Sequence, residues 1–203
     1  MKAILALFFL MSFSSTAAIM VTNDINRFNT LAGQLTLLDD FNDAPKNTLA
    51  FLTSDLDRGS YILRPIHYTM AMGFTLGVDR TSSLVFGYGN SHASFTLDKA
   101  VSAIAFDIWS GFSTDQRYKL TIGSQSIVFD VPATGYRWGD EVKNSFFGFV
   151  TDTPFTDFSI EDTDSNGNGY FDNFSVATKV SAPGTFLILI SGFLLAFRIK
   201  NLR

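Results

Sequence analysis

The chain has 203 residues, of which 46% are hydrophobic and none is cysteine. The lack of cysteine excludes disulfide bonds, zinc–thiolate sites and thiol nucleophiles. Lysine and arginine number 15 against 19 aspartates and glutamates, and four of the basic residues (Lys2, Arg198, Lys200 and Arg203) lie in the two end segments. The body between those segments is therefore acidic, which disfavours nucleic acid as a partner because like charges would be brought together.

The first 18 residues have the pattern of a secretory signal peptide. Residues 1–2 form a short positive region, residues 3–13 are apolar, and residues 14–18 are small. Cleavage is expected near Ala17 or Ala18. The alternative is a buried N-terminal helix, which the small residues after the apolar run disfavour. The sequence therefore predicts export.

One short helix is predicted at the start of the body, over residues 23–33. Asn23 is its expected N-cap, Phe28 lies on its apolar face, and Gly33 is expected to end it. The segments that follow alternate apolar and polar residues between Gly, Asn, Asp or Ser, which predicts strands. The predicted strands cover residues 34–41, 61–66, 72–78, 83–88, 92–97, 101–109, 117–122, 125–131, 146–151, 157–161 and 170–178.

Two pairs of these strands are predicted to be hairpins, one across residues 89–91 and one across residues 123–124. Residues 101–109 alternate cleanly, with the even-numbered apolar residues on one face. About a dozen short strands of this kind indicate an all-β, antiparallel β-sandwich of jelly-roll type. The 22 phenylalanines fit a core between two sheets, where flat side chains fill a gap of about 10 Å. We expect one domain over residues 19–179.

An acidic segment precedes the last predicted strand. Asp162, Asp164 and Asn166 alternate and Gly167 follows, which is the opening of an oxygen-rich calcium loop. The glutamate of a helix–loop–helix calcium site is missing, and Asp172 supplies a carboxylate one residue before its place. The helical type of site is therefore excluded, while an oxygen-rich structural calcium site is expected. The alternative is a polar turn in which Asp and Asn make Asx-turns.

Residues 135–141 combine aromatic and acidic side chains in a predicted loop. Tyr136 and Trp138 can present flat faces to a sugar, and Asp140 can accept hydrogen bonds from its hydroxyl groups. The alternative is that one or both rings fold into the core. We expect no enzyme activity, because the chain has no nucleophile elbow, no zinc-binding His-Glu-x-x-His helix and no phosphate-binding glycine loop.

The last segment, residues 180–203, has three parts in a fixed order. Ser181, Ala182 and Pro183 open it, an apolar run covers residues 186–197, and Arg198, Lys200 and Arg203 form a basic tip. The segment resembles the PEP-CTERM sorting signal of Gram-negative bacteria, with Ser-Ala-Pro where that family usually has Pro-Glu-Pro. The resemblance implies a C-terminal transmembrane helix and an exosortase-type processing enzyme as partner. The alternative is a plain membrane anchor, whose basic tip would stay in the cytoplasm.

Two passages of the body, residues 35–42 and 146–177, resemble the β-sandwich domain often found in front of such tails. Carbohydrate-binding jelly rolls look similar in the same two places. In those proteins the first and last strands are neighbours, and a structural calcium often lies between their ends. The resemblance implies that Asp40 or Asn42, together with Asp172, would be side-chain ligands of that ion.

These observations favour a non-catalytic exported protein. We expect a precursor anchored in the inner membrane that is then sorted to the cell surface or the extracellular matrix. Its expected role is structural or glycan-associated, with polysaccharide as a partner and calcium as a structural ion. The alternative is a secreted polysaccharide hydrolase on a jelly-roll frame, which would need two carboxylates placed across a sugar bond.

Overall fold

The structure of the protein is a computed structural model that describes residues 18–41, 50–51, 54–67, 72–76, 82–87, 91–110, 115–133, 145–164 and 168–178. The expected signal peptide, except for Ala18, and the whole C-terminal segment from residue 180 lie outside these ranges. In the ranges that are described, no helix has the length and apolar character needed to cross a membrane.

Within these ranges the chain forms one helix and twelve strands. The helix, α1, covers Ile25–Ala32. The strands are β1 (Met20–Thr22), β2 (Thr36–Asp39), β3 (Ala50–Phe51), β4 (Leu56–Asp57), β5 (Tyr61–His67), β6 (Met72–Leu76), β7 (Ser82–Gly87), β8 (His92–Ser110), β9 (Gln116–Ile122), β10 (Gln125–Val131), β11 (Ser145–Asp162) and β12 (Asn168–Ala177). Every pairing between these strands is antiparallel, which confirms the all-β prediction.

The long strand β8 folds back over itself. Phe95 and Phe106 lie eleven positions apart on it, so a straight strand would separate them by about 36 Å at roughly 3.3 Å per residue. Their ring centroids are 6.1 Å apart. The exposed residues 98–100 mark the bend, and the two halves of β8 therefore face each other across the core.

The neighbours of the two halves define two layers, which we call sheet A and sheet B. Sheet A runs β10–β9–β11–β8–β5–β4 and uses the first half of β8 and the second half of β11. Sheet B runs β1–β11–β8–β12 and uses the other halves. Beyond β12 lie β2 and β7, and β7 continues through β6 to β3. The register of β11 shifts between Val150 and Asp157, so this strand also changes layer.

Aromatic rings from the two sheets pack against each other and form the main core. Phe106 and Phe174 stack at a centroid distance of 4.7 Å within sheet B, and Phe95 and Phe158 stack at 4.5 Å within sheet A. Rings also meet between the sheets, as in the pairs Tyr61–Phe174, Tyr118–Phe171 and Phe129–Phe149. The expectation that phenylalanines fill the gap between two sheets is thus confirmed.

Helix α1 covers part of the outer face of sheet B. Its fully buried Phe28 packs on the small residues Ala103 and Ala105 of β8 and on Gly148 of β11. A Cβ at position 148 would overlap the Phe28 ring, so glycine at that position lets the helix approach the sheet. The outer face of sheet A carries no helix among the described residues.

Three details differ from the sequence-based expectation. The helix cap is Asp24 instead of Asn23, because Asp24 Oδ1 accepts hydrogen bonds from the N–H groups of Asn26 and Arg27. The strands predicted at 92–97 and 101–109 are one bent strand, as are those at 146–151 and 157–161. The hairpin expected across residues 89–91 is wrong, since β7 pairs with β6 and β12 while the first half of β8 pairs with β5 and β11. The hairpin across Gly123, whose φ is 59°, is confirmed.

Candidate functional site

An open cleft lies at the edge of the sandwich, where β2 of sheet B comes close to β4 of sheet A. Its volume is about 630 Å³. The lining residues come from two short segments and are Leu37, Leu38, Asp39, Asp40, Asp57 and Arg58. The cleft is therefore built by residues from both sheets, and the contacts that join the sheets here also shape it.

Asp39 is the central polar group of this edge. It is 7% exposed, yet its carboxylate accepts four hydrogen bonds. Arg58 donates two of them, from Nε at 2.6 Å and from Nη2 at 2.9 Å. The hydroxyl of Tyr61 donates the third at 2.6 Å, and the N–H of Phe41 donates the fourth at 2.7 Å. This set of bonds links β2 of sheet B to β5 and to the residue after β4 in sheet A.

The hydroxyl group of Tyr61 keeps its proton in this arrangement. Burial, and then the hydrogen bond and charge of Asp39, raise the pKa of Tyr61 far above its usual value, although Arg58 opposes them. The hydroxyl therefore stays protonated and donates to Asp39 at every ordinary pH. Two-pronged binding by the guanidinium of Arg58 fixes the carboxylate in one orientation.

Two of the lining residues, Leu37 and Asp57, are exposed at the cleft surface. Leu37 is 54% exposed, which is unusual for a large apolar side chain. Asp57 is exposed, and its Oδ1 accepts a hydrogen bond from the N–H of Gly59 at 2.8 Å. The φ of 79° at Gly59 belongs to the turn that leads from β4 to β5. The cleft thus offers an apolar surface beside carboxylate oxygens held at fixed positions.

A second acidic group lies nearby on β8 and β12. Asp172 and Asp107 are register partners, and Asn173 joins them through its N–H to Asp172 Oδ1 at 2.7 Å and its Nδ2 to Asp107 Oδ2 at 2.8 Å. Burial, and then the charges of Asp107, Asp40 and Asp39, raise the pKa of Asp172 to about 6, against the lowering effect of the Asn173 N–H. The expected proximity of Asp40 and Asp172 is therefore present, and β2 and β12 are neighbours as the resemblance implied.

The other two described carboxylates of the expected calcium site lie elsewhere. Asp162 and Asp164 are at the end of β11 in sheet A, and the buried Asp162 lies beside Tyr118 on the inner face of the sandwich. Asp172 has its side chain on the opposite side of β12 from Phe171, whose ring contacts Tyr118 in the core. The expected ligand set of Asp162, Asp164, Asp172 and Asp40 is thus split, because Asp162 lies on the inner face of the sandwich and the Asp172 side chain points away from the core. Asn166 lies outside the described residues.

Neither pair is a preformed metal centre by the usual measure of three converging ligands. Within the described ranges, no three His, Asp or Glu side chains come close enough together to hold a metal ion. Alternation along the loop sequence does not reveal that β11 ends in sheet A and that β12 begins in sheet B.

The expected sugar-binding residues Tyr136, Trp138 and Asp140 lie outside the described residues, as do the sorting residues Ser181, Ala182, Pro183, Arg198, Lys200 and Arg203. Sequence reasoning missed the cleft itself. Nothing in the sequence spacing of Asp39 and Arg58 marks the two as partners. The one available signal was the segment at residues 55–59, which is rich in charge and ends in Gly59.

Comparisons with known proteins leave the family open. No protein-family model matches the chain, and no curated protein matches it. Among solved structures, it is similar to a point mutant of a family 29 carbohydrate-binding module, with a TM-score of 0.39 and 11% identity over 72% of this chain and 93% of that one. A second mutant of that kind, in complex with mannohexaose, gives a TM-score of 0.37 and 11% identity over 72% and 92%. Another family 29 module gives 0.36 and 10% over 72% and 89%.

TM-scores below 0.5 at about a tenth identity support no inference about the ligand of this chain. Any functional argument must therefore come from the residues of the chain itself. The comparisons contain nothing that supports the hydrolase alternative.

Proposed function

We propose that the protein is an exported, non-catalytic β-sandwich module of jelly-roll type that binds a neutral polysaccharide in its edge cleft. The observation that carries the proposal is the cleft itself, where exposed Leu37 lies beside the fixed ion pair of Asp39 and Arg58. Ligand sites in proteins are concave, with an apolar lining and a few polar groups at fixed positions. The volume of about 630 Å³ lies within their usual range.

The chemistry of the lining suits a sugar. A pyranose ring has an apolar C–H face, which the exposed Leu37 side chain can cover. The hydroxyl groups at the edge of the ring can donate hydrogen bonds to carboxylate oxygens. Among the described residues, the carboxylates of Asp39, Asp40 and Asp57 line the cleft together with one guanidinium, that of Arg58. The net negative charge would repel an acidic polymer, so a neutral polysaccharide is the better partner.

The same geometry favours binding over hydrolysis. A glycosidase needs one carboxyl group that gives a proton and a second one across the bond. The carboxylate of Asp39 accepts hydrogen bonds from Arg58, Tyr61 and the N–H of Phe41. It therefore links the two sheets and is not placed to donate a proton to a substrate. Asp172, the nearby carboxyl group with a raised pKa, is not among the residues that line the cleft.

The proposal also includes the route to the outside. Residues 1–18 would direct export, and residues 180–203 would hold the precursor in the membrane until an exosortase-type enzyme removes the tail. Support comes from the order of proline, apolar run and basic tip in the sequence. Deleting residues 183–203 should release the body as a soluble exported protein. A deletion variant that stays in the membrane fraction would refute the anchor, and an intact C-terminus in the mature form would refute the processing.

Titration calorimetry with neutral and acidic polysaccharides tests the binding. The wild type should bind a neutral polymer, and Asp57→Ala should weaken that binding several-fold because a hydrogen-bond acceptor in the cleft is lost. Asp55→Ala is the matched control, since Asp55 is an exposed carboxylate two residues away that pairs with Arg64 and does not line the cleft. Equal weakening by the two variants would refute the cleft as the site. Release of reducing ends from the bound polymer would establish the hydrolase instead.

A further inference from the structure

Two oxygen atoms buried at the end of the core have no hydrogen-bond partner in the described part of the chain. One is Oδ2 of Asp162, whose side chain is fully buried. The other is the hydroxyl of Tyr118, its register partner on β9. The other carboxylate oxygen of Asp162 accepts a hydrogen bond from the N–H of Asp164 at 2.9 Å. An orphan oxygen on a buried carboxylate is a rare feature and needs a physical explanation.

The backbone around these oxygens is held firmly, so the carboxylate cannot turn away to solvent without loss. The N–H of Asp162 donates to the carbonyl of Ser91 at 2.8 Å, and the N–H of Thr163 donates to the carbonyl of Arg117 at 2.9 Å. The hydroxyl of Tyr118 abuts Gly169 of sheet B, where a Cβ would overlap it. The pair therefore lies buried between the two sheets and is held from both sides.

The charges at this place are unbalanced. Burial, and then the charge of Asp164, raise the pKa of Asp162 to about 7, although the N–H of Asp164 opposes them. The guanidinium of Arg117 interacts with Asp164, but its Nε is bonded to Asp130 at 2.7 Å. Among the described residues, no cation compensates the buried carboxylate of Asp162, and a buried uncompensated carboxylate is costly.

We propose that the end of β11 binds a calcium ion, with Asp162 Oδ2 and the carboxylate of Asp164 as its anionic ligands. Backbone carbonyls and water would complete the shell, because calcium takes six to eight oxygen ligands in flexible geometry. Magnesium should bind less well, since it demands a stricter octahedron and keeps its own water. Two protein carboxylates give a weak site, with a dissociation constant of about 10⁻⁴ to 10⁻³ M, as in extracellular modules.

This site is independent of the polysaccharide cleft and differs from the ligand set expected from the sequence. Asp40 and Asp172 have no part in it, because Asp40 lines the cleft and the Asp172 side chain points away from the core. Asn166 lies outside the described residues and is not counted among the ligands. Experiments can therefore refute the calcium site without refuting polysaccharide binding in the cleft, and the reverse.

Sensitised luminescence tests the site directly. Terbium replaces calcium at oxygen sites and emits when a nearby tyrosine absorbs light, and Tyr118 lies close to Asp162 and Asp164. With the purified full-length protein, terbium emission on tyrosine excitation should rise with saturation and fall when calcium is added. Asp162→Asn should abolish it. Asp172→Asn is the matched control, a second buried aspartate with a raised pKa, and should leave the emission unchanged.

Thermal unfolding at pH 8 supplies the second measurement. The melting temperature should be about 3–11 °C higher in 10 mM calcium than in chelator, and the difference should vanish in Asp162→Asn. In chelator, Asp162→Asn should be at least as stable as the wild type, because a buried uncompensated charge is removed. Equal melting temperatures of the wild type in calcium and chelator would overturn the proposal. So would emission that survives in Asp162→Asn, or that disappears in Asp172→Asn.

Discussion

Replacing Asp39 by alanine should strongly destabilise the protein, because Asp39 is the buried carboxylate that links the two sheets at the cleft. The change removes both hydrogen bonds from Arg58 and leaves the Tyr61 hydroxyl, which is buried, without an acceptor. Breaking a buried ion pair from one side costs about 3–5 kcal/mol. For a domain of this size the melting temperature should fall by roughly 6–20 °C.

The matched control is Asp130→Ala. Asp130 also pairs with an arginine, Arg117, at an Nε–Oδ1 distance of 2.7 Å, but both side chains are more than half exposed. An exposed ion pair contributes about 0–1 kcal/mol, so this variant should melt within a few degrees of the wild type. Circular dichroism at the same pH and salt gives both values. If the two variants lost similar stability, Asp39 would not be the link between the sheets.

Three other variants test separate parts of the structure. Gly148→Ala should cost about 1–3 kcal/mol in denaturant unfolding, because its Cβ would overlap Phe28 and lift the helix from sheet B. Tyr61→Phe should cost about 1.5–3 kcal/mol, the value of a hydrogen bond to a charged group. For Asp172, the folded state holds the proton more tightly than the unfolded state, with a pKa of about 6 against a usual value of 3.8. Its contribution to stability is therefore complete below about pH 4 and is lost as the pH rises through 6, so Asp172→Asn should lack that loss in pH-dependent melting curves.

Local signals in the sequence were reliable where one element decides its own structure. The helix near Phe28, the turn at Gly123 and the alternation of residues 101–109 all follow from capping, turn chemistry and periodicity. The merged strands could not be predicted, because the exposed residues 98–100 look like a loop although the strand bends there and continues in the other sheet.

Contacts between distant parts of the chain could not be predicted from the sequence. The partners of Asp39 lie 19 and 22 residues away, and no periodicity connects them. The acidic segment is visible in the sequence, but its division between the sheets is not, since Asp162 and Asp172 are close in sequence and lie in sheet A and sheet B respectively. Burial of Asp162 also has no signature in a segment that consists of polar residues.

The comparison of two equally exposed apolar residues tests the central claim, that the edge cleft binds a neutral polysaccharide. Leu37 lines the cleft, whereas Val128 lies on β10 at the far edge of sheet A, and each is 54% exposed. If a sugar covers Leu37, Leu37→Ala should weaken the affinity about five-fold, which corresponds to about 1 kcal/mol of lost apolar contact, and Val128→Ala should leave the affinity unchanged. Equal affinities of the wild type and both variants for the neutral polymer would contradict the claim.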